Sequence, residues 1–153
     1  MSSALRPRTR ALWIPLAALG LPCIVAIASG VLMVRDMPPG ILLRSLLAAS
    51  INGPLEELSW RRAFRANSNG GIGFELFGLF LFTLWHVPLY LTNGVSFDHG
   101  AIGLVGGSAV LGGVWLVMTR GGDSVGWPMI SHALVNAAAF IPHFAGNFGA
   151  MAR

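Results

Sequence analysis

An all-α bundle that crosses a membrane about five times is the fold this sequence predicts, and three observations predict it. Of 153 residues, 54% are hydrophobic and 10% charged, a balance too apolar for a soluble domain of this length. The apolar residues gather in runs close to the roughly 20 residues that an α-helix needs to span the hydrocarbon core. The 20 glycines and 9 prolines lie in or beside those runs. That suits membrane helices, which approach closely and re-satisfy freed backbone groups against their neighbours.

The first run extends from Ala11 to Val34, behind Arg6, Arg8 and Arg10. A basic leader, an apolar stretch and the small residues Ala26-Ile27-Ala28 also have the form of a cleaved signal peptide. The run continues to Val34, so a retained helix is the expectation. Arg35 to Gly40 is a turn-rich break. A second segment runs from Ile41 to about Phe64, interrupted by Asn52-Gly53-Pro54, where Pro54 removes the backbone bond to Ser50 and is expected to kink or restart the helix. After the loop Asn67 to Gly71, a third span runs from about Phe74 to Leu91, with Pro88 near its far end. Thr92 to Asp98 is a loop, and Ala101 to Met118 a glycine-rich fourth span without a residue able to do chemistry. Arg120 to Ser124 turns the chain into a fifth span, from about Trp127 to Phe144. The expected organisation is a basic leader and first helix over 1–40, the main bundle over 41–148 and a short tail over 149–153.

Basicity is carried by arginine alone, with a net charge of +4. Arg6, Arg8, Arg10, Arg61, Arg62, Arg65 and Arg120 fall on one side of this map, and Arg35, Arg44 and Arg153 on the other. By the positive-inside bias the amino terminus and the loops after the second and fourth spans are cytoplasmic, and the carboxyl terminus lies outside. Arginines at the ends of apolar runs suit a lipid bilayer, not nucleic acid. All-arginine basicity suits GC-rich bacterial coding, hence a bacterial plasma membrane. Cys23 is the one cysteine, which excludes an intrachain disulfide.

Ionisable side chains at membrane depth are expensive and point to function. Three constellations qualify: Glu56-Glu57 followed by Arg61, Phe82 followed by His86, and His132 followed by Asn136. With a rise of about 1.5 Å per residue, Glu56 lies roughly 9 Å inside Arg62, His132 about 8 Å and Asn136 about 14 Å above Trp127, and His86 about 17 Å above Glu75. These depths overlap, so Glu56, His86, His132 and Asn136 are expected to line one cavity, with helix tilt or the Pro88 kink bringing His86 in. Glu57 and Arg61 are four apart and pair, which leaves Glu56, about 100° away, facing elsewhere. His132 and Asn136 share a face.

Blander readings exist for each group. Gly53 and Pro54 could start a helix whose first turn holds both glutamates for the macrodipole. His86 could be packed on a backbone carbonyl, and His132 and Asn136 could be interhelical hydrogen-bonding residues. Glu75 is expected to snorkel or to pair with Arg62 or Arg65, His143 to lie near the outer surface, and His99 to form a solvated loop pair with Asp98.

The three constellations stand as Glu56-Glu57-Leu58-Ser59-Trp60-Arg61, Phe82-Thr83-Leu84-Trp85-His86 and His132-Ala133-Leu134-Val135-Asn136. In this order the chain resembles the CPBP family of CAAX proteases and bacteriocin-processing enzymes, also called the Abi or type II CAAX endopeptidase family. The likeness covers roughly Ile51 to Phe140. It implies an endopeptidase that hydrolyses a peptide bond at the membrane with an activated water and without a covalent enzyme intermediate. In that picture Glu56 is the general base and holds the water with His86. His132 and Asn136 stabilise the oxyanion, and Glu57 with Arg61 supports the site. Members are often named metalloproteases, with Glu56, His86 and His132 as the set that would hold Zn²⁺, but no His-Glu-x-x-His helix is present and a water-only site is the expectation. The implied substrate is a peptide or a membrane-anchored protein, and in a bacterium a prenylated CAAX protein would be unexpected. The alternatives are a catalytically inactive bacteriocin self-immunity or scaffold protein of the same fold, or a small transporter using these residues as an ion relay.

Overall fold

In the computed structural model, which describes residues 5–7, 11–33, 37–97 and 99–148, each apolar run becomes one helix and no strand occurs among the described residues. Arg8, Arg10, Arg35, Asp98, Arg153 and the tail over 149–153 lie outside them, so the expectations placed there go no further. The helices are α1 (Trp13–Ala28), α2 (Pro39–Glu56), α3 (Ile72–Tyr90), α4 (Ile102–Gly122) and α5 (Gly126–Phe148). Pro39 begins α2, where its fixed φ and missing N–H cost nothing. Asp123, in the left-handed region with φ 51°, ends α4 and lets α5 begin three residues later.

Of the two outcomes expected at Pro54, a restart does not occur: α2 is one helix through Asn52-Gly53-Pro54, continues as a π-helical stretch over Glu57–Arg62, and ends in the turn Ala63–Ala66. Pro54 does withhold its donor from Ser50, but Gly53 lies flush against the backbone of His132 and Ala133 on α5, and this packing holds the rod together. The irregularity appears after Pro54, as the wide turn that is frequent at functional sites.

α3 and α4 are long and apolar enough to cross a membrane, and only 17% of the apolar window of α3 is buried inside the protein. Phe80, Leu84 and Trp85 are exposed along it. A soluble core helix would hide such a surface, so this one faces lipid. α1 is apolar but only 16 residues long. α2 and α5 have the length but less hydropathy, because one face of each carries polar side chains: Ser45, Asn52, Glu56 and Glu57, and Ser131, His132 and Asn136.

The helices alternate up and down around a core of Ile14, Ala18, Phe82, Trp115, Met118 and Val135. At one end the backbone of Arg6-Pro7 touches Gly126, Ser124 Oγ donates to Arg6 O at 2.5 Å, and Trp13 lies against Gly121. The same end holds an ion network centred on the buried Glu75. Glu75 Oε1 accepts from Arg120 at 2.6 Å and from Ser68 Oγ at 3.3 Å, Arg65 lies 3.7 Å from Glu75 Oε2, and Arg65 reaches Asp123 at 2.9 Å. Glu75 therefore pairs with Arg65, as expected, but chiefly with Arg120, and it is buried where snorkelling was the alternative. At the opposite end the α3–α4 loop clasps α5: Asn147 Oδ1 accepts from Ser96 N at 2.8 Å and Phe97 stacks on His143 at 4.7 Å.

Candidate active site

Membrane depth brings α2 and α5 together where both are polar, and Gly53 makes the approach close. A Cβ built on Gly53 would stand 2.7 Å from Ala133 N and 2.9 Å from His132 C, distances no real Cβ shows. Glu56 and Glu57, one turn on, then reach His132. His132 Nδ1 lies 2.9 Å from Glu57 Oε1, and its Nε2 lies 3.3 Å from Glu56 Oε2. A carboxylate only accepts, so Nδ1 carries the hydrogen of that first bond.

The side chains around this imidazole come from every helix expected to contribute, and from one that was not. Glu57, fully buried, pairs with Arg61 at 3.6 Å as the four-residue spacing implies. The Arg61 guanidinium, also buried, sits 4.0 Å from the centre of the Phe82 ring, a cation–π contact in a dry setting. His86 donates from Nδ1 to Phe82 O at 2.8 Å, which leaves its Nε2 as the lone-pair nitrogen. It is half-buried, 4.8 Å from the Phe82 ring, and within electrostatic reach of Glu56, His132 and Arg61.

Glu56 lies beside His132, as expected of a residue lining the shared cavity, and the unexpected neighbour is Glu57, which reaches the same ring as well as Arg61. The Oε1 of Glu56 accepts from Asn52 Nδ2 at 3.1 Å, and its Oε2, beside His132, is buried without a hydrogen-bond partner. Asn136 is buried one turn beyond His132 with its Nδ2 likewise without a partner. The cluster thus presents an uncommitted acceptor, Glu56 Oε2, and an uncommitted donor, Asn136 Nδ2. In native proteins such buried orphans call for an explanation.

The fourth span, expected to carry no chemistry, supplies Trp115 and Gly112. The indole of Trp115 stacks on His132 at 3.8 Å, and a Cβ on Gly112 would collide with Arg61 and Phe82. A tryptophan amid small residues gives no local signal of this. Asn52, four residues before Glu56, was legible by spacing and was missed, as was Gly53, which was taken for a cap.

The family model for the type II CAAX prenyl endopeptidases of the Rce1-like kind matches residues 38–138. The chain belongs to that Rce1-like family. The match begins at the start of α2 and ends within α5, so it takes in all three constellations. The comparisons with curated proteins and with solved structures give no match. Rce1-like membership supports endopeptidase activity at the membrane in general.

Gly53 offers a direct check of the geometry. Gly53→Ala must part α2 from α5, and a misplacement of about 1 Å in a catalytic constellation can cost about 10²-fold. A fall in kcat approaching that size is expected, while Gly20→Ala, where a Cβ meets nothing within 4 Å, leaves turnover unchanged. Equal rates for the two forms would show that the α2–α5 contact does not set the site.

Proposed function

We propose that the chain hydrolyses a peptide bond at the membrane with a water activated by Glu56, and the observation that carries this is the buried Glu56 Oε2, without a hydrogen bond and set beside the imidazole of His132. Water is held between Glu56 Oε2 and His86 Nε2. Glu56 takes one of its protons as the oxygen attacks the scissile carbonyl carbon, and the carbonyl π pair moves onto oxygen. Asn136 Nδ2 donates to that oxyanion. When the tetrahedral adduct collapses the C–N bond breaks, and the proton on Glu56 passes to the leaving amine.

One role departs from the sequence expectation. His132 was to share the oxyanion with Asn136, but its Nδ1 hydrogen is spent on Glu57 and its Nε2 faces Glu56. We assign it to orienting Glu56, with Glu57 and Arg61 holding the imidazole in turn. Donors of the Asn136 kind are worth about 2.7–4 kcal/mol in other hydrolases.

We propose a reaction that needs no metal, a reading supported by the donor set: among the described residues no three His, Cys, Asp or Glu side chains gather around a common point fit for a metal ion. Treatment with a strong chelator such as 1,10-phenanthroline should leave kcat unchanged; loss restored by added Zn²⁺ would replace this scheme with a metal-dependent one.

Arg6, Arg62, Arg65 and Arg120 lie towards one end of the bundle and Arg44 towards the other, which supports a cytoplasmic amino terminus by the positive-inside bias. A bacterial plasma membrane is the proposed setting. The deciding experiment compares, by mass spectrometry, peptides released from membranes carrying the intact chain and its Glu56→Gln form. Cleavage products confined to the intact chain are expected; a cellular phenotype that survives the substitution would favour a binding or immunity protein of the same fold.

A further inference from the structure

α4 carries neither acid nor histidine within its span, yet it supplies the closest ring contact of the cluster. Trp115 is 1% exposed, and its ring centre lies 3.8 Å from that of His132 with the planes 19° apart. Aromatic pairs ordinarily settle with centroids about 4.5–7 Å apart, offset or edge-on. This pair is tighter and nearly face to face. The indole is itself held, because its Nε1 donates to Ser131 Oγ at 3.1 Å, and Ser131 is fully buried and precedes His132 in the chain. Phe82 meets the imidazole edge-on, at 6.1 Å and 87°.

The imidazole turns about its Cβ–Cγ bond, against which Glu57 offers a single hydrogen bond at Nδ1, and this rotation swings Nε2 away from Glu56 Oε2. A flat surface laid against the ring removes it. An aliphatic side chain of similar bulk would fill the volume without fixing the plane. We infer that Trp115 is a positioning residue, whose indole face fixes the plane of the His132 ring so that Nε2 is held against Glu56. The consequence for turnover rests on the reaction proposed above; the ring geometry does not.

The test uses the full chain in detergent, with a farnesylated, internally quenched CAAX peptide as probe and ¹³C-labelled histidine for NMR. Trp115→Leu is expected to lower kcat about 10- to 10²-fold with KM unchanged. It should also move the His132 ring resonance downfield as the indole ring current is lost. Trp115→Phe, which keeps a flat face, restores most of both. Met118→Ala opens a cavity at a buried position on the same helix; it lowers Tm but leaves kcat and the resonance in place. If Trp115→Leu and Met118→Ala reduce kcat alike, or if the leucine form keeps kcat and resonance, the inference is overturned. Should the leucine form not fold, Ser131→Ala releases the indole N–H and is expected to lower kcat about three- to ten-fold; an unchanged kcat there also overturns it. Failure of the proposed reaction reads differently: Glu56→Gln would then match the intact chain on the probe while the His132 resonance still moved in Trp115→Leu.

Discussion

Glu56→Gln is expected to lower kcat by about 10²- to 10⁴-fold, the usual contribution of a positioned general base, and to leave thermal unfolding where it is. The amide has the shape of the carboxylate, so its oxygen still accepts from Asn52 and its nitrogen takes the place of Oε2 beside His132. Only the capacity to take a proton from water disappears. The measurement is turnover on a cleaved peptide alongside Tm in the same detergent. Retention of full turnover would remove Glu56 from the chemistry, and a parallel fall in Tm would mean that the loss reflects folding.

The second large effect falls on stability. Arg61 and Glu57 are both buried, and no nitrogen of the guanidinium has a hydrogen bond, so the pair is held by mutual charge and by the Phe82 face. Arg61→Met takes the guanidinium from the buried Glu57 carboxylate and leaves it the His132 hydrogen bond alone; removing one member of a buried pair costs about 3–5 kcal/mol. Adding Glu57→Gln to that variant is expected to recover most of the lost stability, because it removes the buried charge. Chemical unfolding of the two variants and the intact chain measures this. A double variant no more stable than Arg61→Met would show that the arginine acts through packing alone.

Which of these features the sequence announced follows from the physics of each. Hydropathy runs located all five helices, since lipid imposes that pattern on every span. The three constellations stood out because charge and imidazole are rare at depth, and the pairing of Glu57 with Arg61 follows from helical phase. Phase was incomplete for Glu57: it describes an isolated helix, whereas Glu57 also meets His132, 75 positions later and reached only through the Gly53 crossing. The restart allowed for at Pro54 does not occur because packing on α5 outweighs one missing backbone bond. Trp115 was invisible, as its role exists only once α4 and α5 lie together.

The crossing at Gly53 also governs when the site comes into being. Glu56 and Glu57 are synthesised early, whereas the imidazole they hold belongs to α5, the last helix described. Domains and helices emerge from the ribosome in chain order. Until α5 is in the bilayer, Glu57 has only Arg61 to balance it and Glu56 has no ring beside it. On the reaction proposed above, a nascent chain is unarmed until α5 has entered the bilayer.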